Sequence, residues 1–352
     1  MKNSLKILGL SLVAVGVTIA VQFRDEWIKA PRVRVGPLVQ SITDPPMGTH
    51  PESTKRMLRF FVLGDTGTGN EQQYRVARAM ENRCRVVGDV HGILLLGDNG
   101  YQAGFQSTDD PTWETKVNIP YGSPCLGRLP IYPILGNHDY KGKPEVQIAY
   151  SLVNKRWKMP NRFYSLYFSD LVRIVAYDSQ TTDYCSIPAF CSIDFLLDQT
   201  KNHLEEQLLY PEDNPDENAP KQLPRWTVVM GHHPLSSVSD HGFNHSGGLR
   251  GWLFEKIFCN RVDLWFAGHA HHMEHKILPG CRMEHYVLGG GGADLYAIDE
   301  EKSEVAFARS SNGFGEFTLD DEQIETRFFD AQGHLIYQHT KQHSALSDSS
   351  HH

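Results

Sequence analysis

Short apolar runs, each ending in glycine and a polar residue, recur along the middle of the chain. They read FFVLGD, ILLLGD, IYPILGNHD, TVVMGHHP and DLWFAGHAHH. Runs this short, bounded by turn residues, are typical of strands buried on both faces of a parallel sheet. Between the first two runs, NEQQYRVARAMENRC has the apolar spacing of one face of a helix, with Tyr74, Val76, Ala77 and Met80. Strand, helix and strand in this order predict parallel pairing through right-handed crossovers.

After Gly292 the pattern changes to alternating strands with no helices between them. The segments are EVAFARS, GFGEFTLD, QIETRFFDA and HLIYQHT. Such a run of strands predicts antiparallel pairing. The chain is therefore predicted to be a mixed α/β protein in which two sheets pack together.

The first 23 residues resemble an export segment. Lys2 and Lys6 precede an apolar run from Ile7 to Val21. This run is longer than a usual signal-peptide core of roughly 7–15 residues and shorter than the ~20 that span a bilayer. A cleaved signal peptide, an uncleaved membrane anchor within residues 7–23 and a buried helix all remain open. The first two place the remaining chain outside the cytoplasm, as a secreted, periplasmic or luminal protein.

Composition divides the remaining chain and limits its partners. Residues 24–56 are predicted to be a proline-rich linker, residues 57–340 the catalytic domain and residues 341–352 a flexible tail. The net charge of −8 and the lack of a long basic stripe argue against nucleic-acid binding. The six cysteines lack C-x-x-C spacing and suit an oxidising compartment. Cys185 and Cys191 lie in one loop and can close it, but the sequence leaves the pairing open.

Polar side chains that bind metals follow five of the predicted strands. In an open α/β sheet, ligands bind beyond the carboxyl ends of the strands. A single aspartate there is more often a helix cap, and a single histidine is more often structural. Five such endings together indicate a metal site formed by Asp65, Asp98, Asn137, His232, His269 and His271.

The number of donors predicts two metal ions. With Tyr101, three positions after Asp98, the set offers two carboxylates, one amide, three imidazoles and one phenol. These are too many for one four-coordinate zinc ion, and they suffice for two ions if a carboxylate bridges. We expect Asp98 to be that bridge and Tyr101 to bind one of the same ions. Oxygen and imidazole ligands favour iron, manganese or zinc.

The motifs resemble those of the metallophosphoesterases. GD at Asp65, GDNGY, GNHD, VMGH and GHAH occur in that order, and the likeness is greatest to the small, tartrate-resistant type of purple acid phosphatase. RWKMPNRFYSLYF and GHHPLSSVSDHG are also similar to that type. The resemblance implies a four-layer sandwich of two mixed sheets flanked by helices. It implies an exported acid phosphatase that hydrolyses phosphate monoesters by metal-bound hydroxide, with small phosphorylated molecules or phosphoproteins as substrates.

The resemblance also implies which residues bind which ion. Asp65, Asp98, Tyr101 and His271 would bind Fe(III), whereas Asp98, Asn137, His232 and His269 would bind Fe(II), Zn(II) or Mn(II). The first motif lacks the histidine found in many relatives, and Tyr101 takes its place. A phenol of pKa near 10 ionises at neutral or acid pH only on a strongly Lewis-acidic ion such as Fe(III).

Proton transfer is expected from two histidines outside the metal set. The resemblance gives His138 and His241 substrate-facing roles and makes Asp240 a candidate acid, where the family often has glutamate. Asp139 is expected to orient His138. One or two of four neighbouring histidines are expected to line the cleft and the rest to be solvated: His233, His272, His275 and His285. The run Gly289–Gly292 is expected to be a loop at a strand end, since it lacks the lysine of a P-loop.

Several alternatives remain open at this point. A phosphodiesterase or nucleotidase on the same scaffold would carry the same metal ligands. A redox-active diiron protein and a phosphate-binding module without turnover are rivals from other classes. The sequence predicts neither the oligomeric state nor the physiological substrate.

Overall fold

The structure, a computed structural model, describes the backbone of residues 39–41 and all atoms of residues 56–180, 224–239, 258–299 and 305–343. Two helices stand out in these ranges, α1 (Glu71–Val87) and α2 (Pro144–Val153). The described strands are β1 (Val39–Ser41), β2 (Leu58–Leu63), β3 (Gly92–Leu95), β4 (Ile131–Pro133), β5 (Tyr164–Phe168), β6 (Val172–Tyr177), β7 (Trp226–Gly231), β8 (Leu264–Ala267), β9 (Met273–Ile277), β10 (Glu284–Leu288), β11 (Val305–Arg309), β12 (Gly313–Leu319), β13 (Gln323–Asp330) and β14 (Leu335–Gln342).

The described strands form two mixed sheets, as predicted. One sheet has the order β1-β5-β6-β7-β8-β10-β9-β11, and the other has the order β14-β13-β12-β2-β3-β4. Each of the five apolar runs that end in glycine overlaps one strand, and these strands are β2, β3, β4, β7 and β8. These strands pair in parallel within their sheets. The carboxyl ends of β2, β3 and β4 therefore meet at one edge, and those of β7 and β8 at the corresponding edge of the other sheet.

The C-terminal strands all pair antiparallel, as predicted, but one of them does so in the other sheet. Strands β12, β13 and β14 form an antiparallel meander, and β12 also pairs with β2. The prediction that EVAFARS belongs to this meander is wrong, because β11 pairs with β9 in the other sheet. An edge partner of this kind is chosen by tertiary packing, which the alternation of residues does not encode.

The two sheets pack through alternate residues of their strands. Phe60 in β2 contacts Phe168 edge to face at 5.0 Å between ring centroids, and Phe317 in β12 lies 4.3 Å from Phe266. The next residue along β2, Phe61, points to the opposite face and contacts Phe314. Successive side chains of a strand point to opposite faces, so the six-stranded sheet is covered on both sides.

Helix α1 covers the outer face of the six-stranded sheet. Its N-cap is Asn70, whose side chain accepts a 2.9 Å hydrogen bond from the Gln73 amide, an arrangement that stabilises helices by about 1 kcal/mol. Its apolar face is buried, and Arg83 donates two hydrogen bonds of 2.6 and 2.8 Å to Glu316 of β12. This helix is the one predicted from NEQQYRVARAMENRC, extended at its C-terminal end to Val87.

Two described strands lie partly or wholly outside the predicted borders of the catalytic domain. Strand β1 lies within the predicted linker and pairs in parallel with β5. Strand β14 runs to Gln342, into the predicted tail. The predicted export segment, residues 1–23, lies outside the described residues. Within the described ranges, no helix combines the length and apolar character needed to cross a bilayer.

Two disulfide bonds are present in the described part of the chain. Cys84 pairs with Cys125, 41 residues apart, and Cys259 pairs with Cys281, 22 residues apart. The first bond ties the end of α1 to the segment before β4. The predicted loop closure by Cys185 and Cys191 lies outside the described residues.

Removing the Cys84–Cys125 bond should lower the free energy of unfolding by up to about 4 kcal/mol, because the bond restricts a long loop in the unfolded chain. Denaturant unfolding of the double variant Cys84→Ser, Cys125→Ser measures this loss. The matched control replaces Cys259 and Cys281, which close a shorter loop and should cost less. A larger loss in the control would contradict the loop-entropy explanation.

Candidate metal centre

Three of the predicted ligands have a backbone conformation that is uncommon for their residue types. Asp65, Asp98 and His269 have φ angles of 58°, 53° and 64°. Each follows a strand closely, since β2 and β8 end two residues before Asp65 and His269, and β3 ends three residues before Asp98. A left-handed residue other than glycine costs of order 1–3 kcal/mol and is often found at functional sites. The turn at each strand end directs the ligand side chain across the sheet edge.

One group of four donors consists of the hydroxyl oxygen of Tyr101 and three atoms around it. Tyr101 Oη lies 3.0 Å from Asp65 Oδ1, 2.9 Å from Asp98 Oδ2 and 3.1 Å from His271 Nε2. His271 Nε2 in turn lies 3.4 Å from Asp65 Oδ1. These donor separations are those of ligands arranged around a single ion. The structure therefore brings together the four residues expected to bind Fe(III).

A second group of donors surrounds the side-chain oxygen of Asn137. Asn137 Oδ1 lies 3.1 Å from His232 Nε2 and 2.9 Å from His269 Nδ1. His232 Nε2 also lies 3.6 Å from Asp98 Oδ1. The structure thus brings together the four residues expected to bind the divalent ion.

Asp98 belongs to both groups through its two oxygens. Oδ2 faces Tyr101, whereas Oδ1 faces His232 and accepts a 2.8 Å hydrogen bond from the His138 amide. A Cβ atom at Gly136 would lie 2.3 Å from Asp98 Oδ1, so only glycine leaves room for this carboxylate. The geometry fits the predicted bridge.

Backbone carbonyls fix the tautomers of two ligand histidines. His232 Nδ1 lies 2.7 Å from the Leu96 carbonyl oxygen, and His271 Nδ1 lies 2.7 Å from that of Asp294. A carbonyl oxygen only accepts hydrogen bonds, so Nδ1 carries the proton in both rings. Nε2 is then left with its lone pair facing the site, as a metal ligand requires.

The electrostatics of the site call for added positive charge. Asp65 and Asp98 are buried, and in the described part of the chain neither has a lysine or arginine within salt-bridge distance. Burial and these two carboxylates together raise the pKa of the Tyr101 phenol far above its usual value. Burial opposes protonation of His232, yet Asp98 and Asp65 raise its pKa above the ordinary value. The residues present therefore fit a site for cations.

His138 lies beside the metal ligands, but Asp139 does not orient it. The His138 ring lies 4.4 Å from the Tyr101 ring, and its Nδ1 lies 2.8 Å from the Gln102 carbonyl oxygen. Asp139 instead accepts hydrogen bonds from the backbone amides of Asn99, Gly100 and Gly136. The predicted role of Asp139 is wrong: its buried carboxylate joins the loops after β3 and β4.

The neighbouring histidines are buried, which contradicts the expectation that most of them are solvated. His272, His275 and His285 are fully buried in or next to β9 and β10. His233 is also buried, with its ring 4.6 Å from that of His269 and its Nδ1 2.9 Å from Ser179 Oγ. These strands are interior, so their histidines are held by protein groups rather than by water.

The glycine run after β10 brings two backbones into contact beneath the site. Gly291 donates a 3.0 Å hydrogen bond to the Gly64 carbonyl oxygen, and Ala293 donates a 3.1 Å bond to that of Asp65. A Cβ atom at Gly291 would lie 2.2 Å from the Gly64 oxygen. The run is a loop at a strand end, as predicted, and it supports the loop that carries Asp65.

Two residues near the site were missed by sequence reasoning. Tyr296 stacks on His271 with 4.1 Å between ring centroids and 14° between ring planes. No local pattern marks this tyrosine. Lys141 Nζ lies 3.3 Å from His138 Nε2, and its position three residues after His138 was an available signal. His241 and Asp240 lie outside the described residues.

Comparison with known proteins identifies a protein family that matches most of the described chain. The family described as calcineurin-like phosphoesterase matches residues 58–273. Purple acid phosphatase 4 of Arabidopsis thaliana is 28% identical over 304 residues, covering 82% of this chain and 84% of that protein. Tartrate-resistant acid phosphatase type 5 of Oryctolagus cuniculus is 28% identical over 309 residues, covering 81% and 91%. Among solved structures, GAP50, the anchor in the inner membrane complex of Plasmodium, has a TM-score of 0.67 at 21% identity, covering 82% of this chain and 90% of that one; this likeness shows the fold alone.

The shared position of Asp98 predicts unequal effects of two ligand substitutions. Asp98→Ala removes a donor from both groups and should abolish retention of both ions. Asn137→Ala removes a donor from one group and should leave the ion beside Tyr101 in place. Metal content per chain after gel filtration, measured by inductively coupled plasma mass spectrometry, distinguishes the two. Equal losses in both variants would contradict a bridging Asp98.

Proposed function

This chain belongs to the calcineurin-like phosphoesterase family, and we propose that it is an acid phosphatase that hydrolyses phosphate monoesters at a dinuclear metal centre. The observation that carries the proposal is the convergence of seven donors in two groups that share Asp98. The relatives named purple and tartrate-resistant acid phosphatases support it, since they cover about four fifths of the chain.

In the proposed centre, Tyr101 distinguishes the two ions. Asp65, Asp98, Tyr101 and His271 would hold Fe(III), and Asp98, Asn137, His232 and His269 would hold Fe(II), Zn(II) or Mn(II). A phenol has a pKa near 10 in water, so a Tyr101 phenolate at neutral or acid pH would require a strongly Lewis-acidic ion, and Fe(III) is such an ion. When bound, such a pair of ions lowers the pKa of a coordinated water and neutralises charge on a phosphoryl group.

The chain supplies its own groups for binding and proton transfer. His138 Nδ1 is held by the Gln102 carbonyl oxygen, so Nε2 is the nitrogen available to a phosphate oxygen or a departing alkoxide. The Lys141 ammonium, 3.3 Å from that Nε2, adds positive charge where a phosphate monoester would carry two negative charges. In the proposal His241 and Asp240 share the proton transfer.

Export is part of the proposal. The Cys84–Cys125 and Cys259–Cys281 bonds support folding in an oxidising compartment, because cytosolic proteins rarely keep disulfides. The expected substrates are small phosphorylated molecules or phosphoproteins that meet the enzyme in that compartment.

The visible absorption spectrum of the purified, iron-loaded protein tests the assignment of Tyr101. We expect a broad charge-transfer band in the wild type and its loss in Tyr101→Phe, since phenylalanine fits the same space without an oxygen donor. Tyr296→Phe is the matched control, because this ring stacks on His271 and is expected to keep the band. A colourless, metal-loaded wild type would contradict ferric iron on Tyr101.

Relative rates on two chromogenic esters test the substrate class. We expect a higher kcat/KM for p-nitrophenyl phosphate than for bis(p-nitrophenyl) phosphate at acid pH. A preference for the diester would favour a phosphodiesterase on this scaffold. A coloured protein that hydrolyses neither ester would favour a redox-active diiron protein.

Replacing His138 should slow turnover without removing metal. General acid catalysis and phosphate positioning together contribute about 100-fold or more, so His138→Ala should lower kcat by at least that factor. Metal content and absorption should stay at wild-type levels. His334→Ala, which replaces an exposed histidine in the β13–β14 turn, is the control and should keep full activity. Full activity in His138→Ala would refute its catalytic role.

A further inference from the structure

A second cluster of metal-binding side chains lies where the two sheets meet. His275 in β9 and Glu284 in β10 belong to the eight-stranded sheet, and His339 in β14 belongs to the six-stranded sheet. Two imidazoles and a carboxylate are the protein ligands of many zinc sites. None of the three belongs to the proposed dinuclear centre.

The donor atoms have the spacing of zinc ligands. Glu284 Oε2 lies 3.2 Å from His275 Nε2 and 3.4 Å from His339 Nε2. A tetrahedral zinc with bonds of about 2.0–2.1 Å holds two donor atoms about 3.3–3.4 Å apart. An N–H···O hydrogen bond is usually shorter, about 2.9–3.0 Å. Within the described part of the chain, both Nε2 atoms are buried and neither makes a well-directed hydrogen bond, although Glu284 Oε2 lies at ion-pair distance from each.

The groups around the cluster prepare it to bind a cation. Tyr337 Oη lies 2.7 Å from His275 Nδ1. This contact lets Nδ1 keep its proton, so the lone pair of Nε2 is available to a metal ion. Tyr286 donates a 2.8 Å hydrogen bond to Glu284 Oε2 and also stacks on the His275 ring. Such bonds to the ligands hold them in place in established zinc sites.

The positive charge of Lys341 opposes the binding of a cation at the cluster, but the position of its ammonium group limits this repulsion. Lys341 Nζ lies 3.3 Å from Glu284 Oε1, the oxygen that does not face the histidines. Oε2 is therefore left for a metal ion.

We propose that His275 Nε2, His339 Nε2 and Glu284 Oε2 bind a zinc ion separate from the dinuclear centre. Three protein ligands leave one position for water, and the His339 side chain, 24% exposed, provides the entry path. The ion would join edge strand β14 of one sheet to β9 and β10 of the other. Its role is to stabilise the fold, because it binds the folded chain and not the unfolded one.

Zinc content of the full-length protein tests the proposal. Wild type, His339→Gln and His334→Gln are each saturated with zinc and separated from free ion by gel filtration, and zinc per chain is measured by mass spectrometry. Wild type and His334→Gln should each hold one zinc ion per chain more than His339→Gln, whatever metals occupy the dinuclear centre. The histidines of the C-terminal tail are the same in all three proteins, so the difference reports the cluster.

Thermal unfolding provides the second measurement. Added zinc should raise the Tm of wild type more than that of His339→Gln, because only wild type has all three ligands of the cluster and gains stability from the zinc ion bound there. Equal zinc content in wild type and His339→Gln would overturn the proposal. A wild type that takes up no further zinc once the dinuclear centre is filled would overturn it whether or not the variant folds. The cluster would then be a hydrogen-bonded hub around Glu284.

Discussion

The buried carboxylate of Asp98 is the interaction on which the candidate site depends. Its two oxygens face different donor groups, one around Tyr101 and one around Asn137. A buried charge is costly unless it is paired, and in the described chain no lysine or arginine pairs with this one. The surrounding structure, including Gly136 and the His138 amide, holds the carboxylate in a position that two cations would share.

Two sheets are needed to build this arrangement. Strands β2, β3 and β4 bring Asp65, Asp98 and Asn137 to one edge, and β7 and β8 bring His232 and His269 from the other sheet. The large aromatic contacts between the sheets, such as Phe317 with Phe266, fix the distance between these edges. The strained backbone at Asp65, Asp98 and His269 persists because packing below the edge holds it.

Some features could be read from the sequence because they are local. Apolar runs ending in glycine predicted the buried parallel strands, and the residue types after them predicted the donor set. Other features depend on contacts between distant segments. The pairing of β11 with β9, the binding of the Asn99 and Gly100 amides by Asp139 and the stacking of Tyr296 on His271 join residues far apart in the chain. The cluster of His275, Glu284 and His339 spans both sheets, and no spacing in the sequence marks it.

Anomalous X-ray diffraction from crystals of the metal-loaded enzyme tests the central claim most directly. Two anomalous peaks should lie about 3.5–4 Å apart on either side of the Asp98 carboxylate, the usual separation in two-metal sites. One should be within bonding distance of Tyr101 Oη and the other of Asn137 Oδ1. A single peak, or two peaks that do not share Asp98, would contradict the account.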